Sequence, residues 1–211
     1  NKRTDKYGGD ADGRNRIIIE TTDAVIRSVR EETADFTVGV RLSAEQWGGY
    51  TFEETKVLAK QLEELGIDYL HITRGIPEGP KDKFDEIWKD GGFLQYSREL
   101  KKILKIPVIT PNIHDPKLAE QAVTEGWTDV VALAKPLLAD PEFVNKVKEN
   151  RVNEITECKR DKYCQIGTWL GLPNKCMVNP EVGRERYNPK YQIHEGFKGT
   201  DMFPYILRKA K

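Results

Sequence analysis

Three cysteines and one aspartate have the most chemically suggestive spacing in this chain: Cys158, Asp161, Cys164 and Cys176, separated by two, two and eleven residues. Thiolates set this closely, with Lys159, Arg160 and Lys162 between them to favour the anionic form, suit a soft metal ion or an iron–sulfur cluster. Asp161 stands where a fourth cysteine would complete the set. On spacing alone three readings stay open: a cluster, a zinc tetrahedron of three thiolates and one carboxylate, and buried cysteines of an ordinary extension. Other candidates lie at the ends of apolar runs. Arg41 lies at the carboxyl end of Phe36–Leu42, where a charge calls for either a salt bridge or a bound ligand. Lys135 follows Val130–Ala134, and the turn Pro111-Asn112-Ile113-His114 follows Ile106–Thr110. His71, inside Tyr69-Leu70-His71-Ile72-Thr73, is a weak candidate for catalysis against the alternative of a packed, hydrogen-bonded histidine. The three histidines, His71, His114 and His194, have no metal-ligand spacing with one another.

Something regular must position these residues. Apolar positions at helical spacing predict a helix from Arg14 to Arg30, after a polar connection, Asn1–Gly13. A strand follows at Phe36–Leu42. Thr51 and Glu54 make a capping box that opens a helix to Leu65, stopped by Gly66. A second strand, Ile67–Thr73, leads into a loop, Arg74–Gly92, long enough to suggest function or disorder. Then come a helix from Leu94 to Leu104, a strand from Ile106 to Thr110, a helix opened by Asp115-Pro116, a strand from Val130 to Ala134 and a helix opened by Asp140-Pro141. Near-continuous apolar strands alternating with amphipathic helices imply a parallel sheet covered by helices. No strand is followed by a glycine-rich dinucleotide fingerprint, so a (β/α)8 TIM barrel fits better than a doubly wound sheet. In such a barrel chemistry sits in the loops after the strands, which places Arg41 at the mouth, and Lys135 and the Asn112–His114 turn at a phosphate site. Four strand–helix units are half a barrel. The expectation is the last four units over 1–150, a cysteine-bearing extension over 151–211, and a missing half before Asn1, supplied by a longer chain or another subunit.

Composition narrows the partners. Lysine plus arginine and aspartate plus glutamate number 34 each, so no bulk field draws the chain to nucleic acid or an anionic membrane. No apolar run reaches the roughly 20 residues of a membrane-spanning helix. Few cysteines, odd in number, argue against a disulfide scaffold and for a reducing cytoplasmic setting.

Several ordered segments together resemble the flavin-dependent barrel oxidoreductases of the old yellow enzyme (NADH:flavin oxidoreductase) family. They are Asn1-Lys2-Arg3-Thr4-Asp5-Lys6-Tyr7-Gly8-Gly9, Val38-Gly39-Val40-Arg41-Leu42-Ser43, Asp68-Tyr69-Leu70-His71 and Ala132-Leu133-Ala134-Lys135-Pro136-Leu137-Leu138-Ala139-Asp140-Pro141, with Cys176-Met177-Val178-Asn179-Pro180 in the tail. The resemblance runs to about Tyr191 and is to the iron–sulfur branch, which contains 2,4-dienoyl-CoA reductase and trimethylamine dehydrogenase. It implies FMN across the barrel mouth, Arg41 against the electron-rich pyrimidine edge of the flavin, Lys135 in place of an arginine at the phosphate, and Asn112, Ile113 and His114 as further phosphate contacts. Lysine keeps the charge there but loses the fork. The family's catalytic segment precedes the stretch matched by Asn1–Gly9, so the catalytic residues are unknown and the chain alone is expected to be inactive.

The implied activity is hydride transfer from NAD(P)H through FMN to a conjugated C=C of an enoyl or dienoyl substrate, with an iron–sulfur relay. The alternatives are an amine-type dehydrogenase of the same branch and a non-catalytic relay or structural fragment. In relatives the position of Asp161 is a cysteine, which leaves a [4Fe-4S] cluster with an oxygen ligand, a three-iron form, or no cluster. Asp161→Cys is expected to raise iron bound per chain after anaerobic reconstitution; unchanged iron and absorbance would remove Asp161 from the ligand set.

Overall fold

The computed structural model describes residues 2–33, 35–74, 88–169, 171 and 173–184. Most of the long loop (75–87), His194 and the tail from 185 lie outside them. The chain divides into two compact units, Asn1–Ala134 and Lys135–Lys211.

In the first unit the order is α1 (Ala11–Glu32), β1 (Gly39–Ser43), α2 (Phe52–Leu65), β2 (Tyr69–Thr73), α3 (Leu94–Ile103), β3 (Val108–Pro111), α4 (Pro116–Thr124) and β4 (Val130–Ala132). The strands form one parallel sheet in the order β1-β2-β3-β4, so every strand pairs with its successor in the chain. This is the strand–helix alternation expected from the sequence, a parallel sheet consistent with part of a (β/α)8 barrel. Among the described residues it stands as an open four-stranded sheet with flanking helices. Helix α1 starts three residues before the predicted Arg14, because the Asp10 carboxylate accepts from Gly13 N at 2.9 Å and caps it. The capping box of α2 is present as expected, and Gly66 ends that helix at φ 99°, a left-handed backbone that suits glycine.

Packing follows the two-residue period of the strands. Leu42, Leu70, Ile72 and Val108 are buried against Leu58, Ala59 and Leu62 of α2 and Tyr96 and Leu100 of α3, with Ile26 of α1 in the same core. Each fully buried aliphatic side chain stabilises the fold by about 1.5–3 kcal/mol. Two aspartates fasten alternate strand starts: Val38 N donates to Asp68 (2.7 Å) and Val108 N to Asp129 (2.7 Å). Each sits just before the neighbouring strand, β2 or β4, and so links a pair of adjacent strands at the amino end. At the carboxyl end Ala44 N donates to Thr73 O at 2.7 Å, which holds the residues following β1 beside those following β2.

The second unit begins with α5 (Lys135–Ala139) and α6 (Phe143–Lys148), then a short 3-10 turn (Val152–Glu154) and α7 (Tyr163–Trp169). The strand predicted to run to Ala134 stops at Ala132, and Lys135 opens a helix. Asp140 is the hub here. Only 4% exposed, it accepts from Glu142 N (3.0 Å), Thr156 N (2.8 Å) and Lys146 Nζ (2.7 Å). Among the described residues no helix is long and apolar enough to cross a membrane.

Candidate active site at the carboxyl ends of the strands

The sheet register puts Arg41, His71, Ile109 and Val130 in one row across the four strands. Alternation places this row on the face opposite the helix-covered core. None of the four is buried, and Arg41 and Val130 are exposed. One step toward the amino end, a Cβ on Gly39 would lie 2.2 Å from the Tyr69 ring, so only glycine lets that ring cross β1. The face is therefore accessible along this row, which crosses the middle of β1 and β2, and carries a cation there.

His71 is the neighbour of that cation. Burial lowers its pKa and the Arg41 charge lowers it further, so the imidazole is neutral near pH 7. Its Nε2 is buried without a hydrogen-bond partner among the described residues. A buried polar atom left in this way costs about 1–3 kcal/mol and calls for an explanation. The bland reading, a packed and fully hydrogen-bonded histidine, does not describe it.

The turn after β3 is held from one side. Asn112 adopts φ 66°, its carbonyl accepts from Gly91 N (2.8 Å), and its amide donates to Lys89 O (2.8 Å). His114 N and Asp115 N both donate to the Asp90 carboxylate, at 2.6 and 2.9 Å. Ile113 has no solvent exposure, and its N–H meets no acceptor among the described residues. Orphan buried N–H groups are rare in folded proteins.

A further cluster at the same ends of β1 and β2 was not anticipated from sequence. The Tyr96 hydroxyl donates to Glu45 (2.8 Å), and Arg74 lies 3.2 Å from the same carboxylate with its side chain only 13% exposed. Burial pushes the Tyr96 phenol up, and its bond to the Glu45 carboxylate adds to that, so it stays protonated across the physiological range. The three residues come from distant segments, and no local spacing signals them.

In the second unit Lys135 is half-buried at the start of α5. The cysteines are free thiols, each half-buried. Cys158 Sγ accepts from Arg160 N at 3.4 Å, and Asp161 accepts from Tyr163 N at 2.9 Å, with Arg160 and Lys162 in left-handed backbone. Among the described residues no group of three or more His, Cys, Asp or Glu side chains is gathered to hold a metal ion. Among the described residues these donors are not gathered as a cluster site would need. For a flavin the fit is different: an accessible guanidinium, a buried imidazole nitrogen and a buried backbone N–H all lack partners among the described residues at or near the strand ends.

The family model described as NADH:flavin oxidoreductase / NADH oxidase matches residues 1–154. An NADH oxidase of Thermoanaerobacter brockii is 39% identical over 199 residues, covering 88% of this chain and 29% of that protein. A dimethylamine dehydrogenase of Hyphomicrobium is 29% identical, covering 92% of this chain and 28% of that protein. The solved structure of 2-naphthoyl-CoA reductase with 2-naphthoyl-CoA superposes with a TM-score of 0.79 at 32% identity, covering 92% of this chain and 30% of that one. The chain thus spans under a third of the length of each.

Proposed function

Because this chain belongs to the NADH:flavin oxidoreductase / NADH oxidase family, we propose that it forms the part of an FMN-dependent oxidoreductase that receives the flavin's pyrimidine edge and its phosphate. The observation that carries this reading is the row on the open sheet face, where an exposed arginine lies beside a neutral histidine with an unpartnered buried nitrogen. FMN, when bound, supplies the hydride chemistry. The residues of this chain supply its surroundings. Arg41 sets a fixed positive charge against the edge of the ring where reduction places negative charge. His71, neutral beside it, offers a hydrogen-bonding nitrogen without adding a second cation. The backbone of the turn after β3, through the buried N–H of Ile113, is offered to the phosphate.

For the substrate, the first reading is an amine-type dehydrogenase, supported by the likeness to dimethylamine dehydrogenase. The second is reduction of a conjugated C=C with NADH as donor, favoured by the likeness to 2-naphthoyl-CoA reductase and to NADH oxidase. Anaerobic mixing of the full-length flavoprotein separates them. Bleaching of the flavin by dimethylamine without NADH is the expected result. Bleaching by NADH alone, reversed by a conjugated enoyl thioester, selects the second reading. Full-length protein purified without flavin would leave only a structural or relay role.

A further inference from the structure

Seven groups meet at the turn after β3. The segment Lys89–Gly91 gives it a carbonyl, a carboxylate and an N–H. The turn answers with the Asn112 amide and carbonyl and with the N–H groups of His114 and Asp115. Every hydrogen-bonding group that Lys89–Gly91 offers to this turn is thus matched. What is left over is the N–H of Ile113, buried and without an acceptor among the described residues, while the N–H of Asn112 faces Ala132 O in the β3–β4 pairing. Of the three consecutive N–H groups of Ile113, His114 and Asp115, the first is therefore without an acceptor among the described residues and the other two are filled by one carboxylate.

We propose that Asp90 is a positioning residue for the flavin phosphate: it occupies the N–H groups of His114 and Asp115 and so reserves that of Ile113 for the anion. The proposal rests on the flavin reading above and refines it, since His114 then contributes shape and not a phosphate contact. Two charge-assisted bonds from adjacent N–H groups are strong; they fix the two peptides that follow Ile113, while Gly91 N holds the carbonyl of the peptide that carries the Ile113 N–H. Without them a bound phosphate would have to order the turn itself, and preorganisation is where affinity is gained.

Riboflavin shares the ring of FMN and lacks its phosphate, so it separates this role from a general effect on the fold. In the full-length protein stripped of flavin, each is titrated by quenching of its fluorescence, and thermal unfolding is followed in parallel. Wild type is expected to prefer FMN. Asp90→Asn, which keeps one acceptor oxygen and replaces the other with a donor, is expected to weaken FMN at least tenfold with riboflavin unchanged. Asp90→Glu is expected to recover part of the loss. If Asp90→Asn does not fold, Asn112→Gly cuts the tie to Lys89 and is expected to weaken FMN several-fold, again with riboflavin unchanged. The assignment is overturned if either variant binds FMN as wild type does, binds it more tightly, or loses both flavins equally. A wild type with equal affinity for the two flavins overturns the phosphate assignment but leaves the flavin reading in place, whereas one that binds neither removes both.

Discussion

Replacing Arg41 with glutamine in the full-length flavoprotein is expected to slow reduction of the flavin by about a hundredfold or more, the usual cost of removing one preorganised group that meets developing charge. The midpoint potential of the flavin should fall in the same variant, because the oxidised ring loses less than the reduced ring when the cation is removed. Arg41→Lys keeps the charge and loses the planar fork, so a partial loss is expected. The effect should be confined to the flavin. Arg41 is exposed on the open face and makes no contact that holds the core, so the thermal midpoint should barely move. Rapid-mixing kinetics and potentiometry on the same preparation are the measurements. A variant with full flavin occupancy, unchanged potential and unchanged rate would place the pyrimidine edge elsewhere.

The second large effect is on stability. Asp140→Ala should cost about 3–5 kcal/mol, the range for breaking a buried, hydrogen-bonded ion pair by deleting one partner. Lys146 would keep its charge with no carboxylate beside it, and the amides of Glu142 and Thr156 would lose their acceptor. Burial alone would raise the Asp140 pKa, but the bonds from Lys146, Thr156 and Glu142 outweigh it and hold the carboxyl below its ordinary value. The sign of the pH dependence follows. The carboxylate form is favoured in the folded state, so its contribution is complete above the ordinary aspartate range and is lost as pH falls through the lower folded value. Denaturant titrations near neutral pH should show a lower midpoint at an unchanged slope, and the gap between wild type and variant should narrow in acid. A gap that is constant with pH would mean that Asp140 acts through packing.

The sequence was most legible where local chemistry decides. The Thr51–Glu54 capping box, the Gly66 stop and the four strand centres follow from side chains within a few residues of one another, and the structure has them. Asp10 shows the limit. Its capping bond is local, but the Gly8-Gly9 pair and the polar residues around it read as loop, so the helix start was placed too late. At the site, Arg41 and His71 could be singled out individually, since each is a polar residue in an apolar run. That they are register partners is a property of the sheet. Asp90 and the Glu45–Arg74–Tyr96 cluster were invisible for a plain reason: their partners lie 20 or more residues away in sequence, and nothing in a run of charged residues tells which will be turned inward. The cysteine spacing gave the opposite case, a strong local signal whose side chains are not gathered among the described residues.

The pairing of each strand with its successor also bears on how the molecule forms. Arg41 pairs with His71, His71 with Ile109, and Ile109 with Val130, so each step of sheet growth closes only the single helix-containing segment just before it. The entropy of loop closure rises slowly with length, by about 0.6 kcal/mol per doubling, but folding rates respond strongly to how local the contacts are. A sheet ordered this way can add one strand at a time in the order of translation, with each new strand finding its neighbour already in place. The Asp68 and Asp129 carboxylates, each arriving just ahead of the strand it introduces, would fasten the start of the preceding strand as they come.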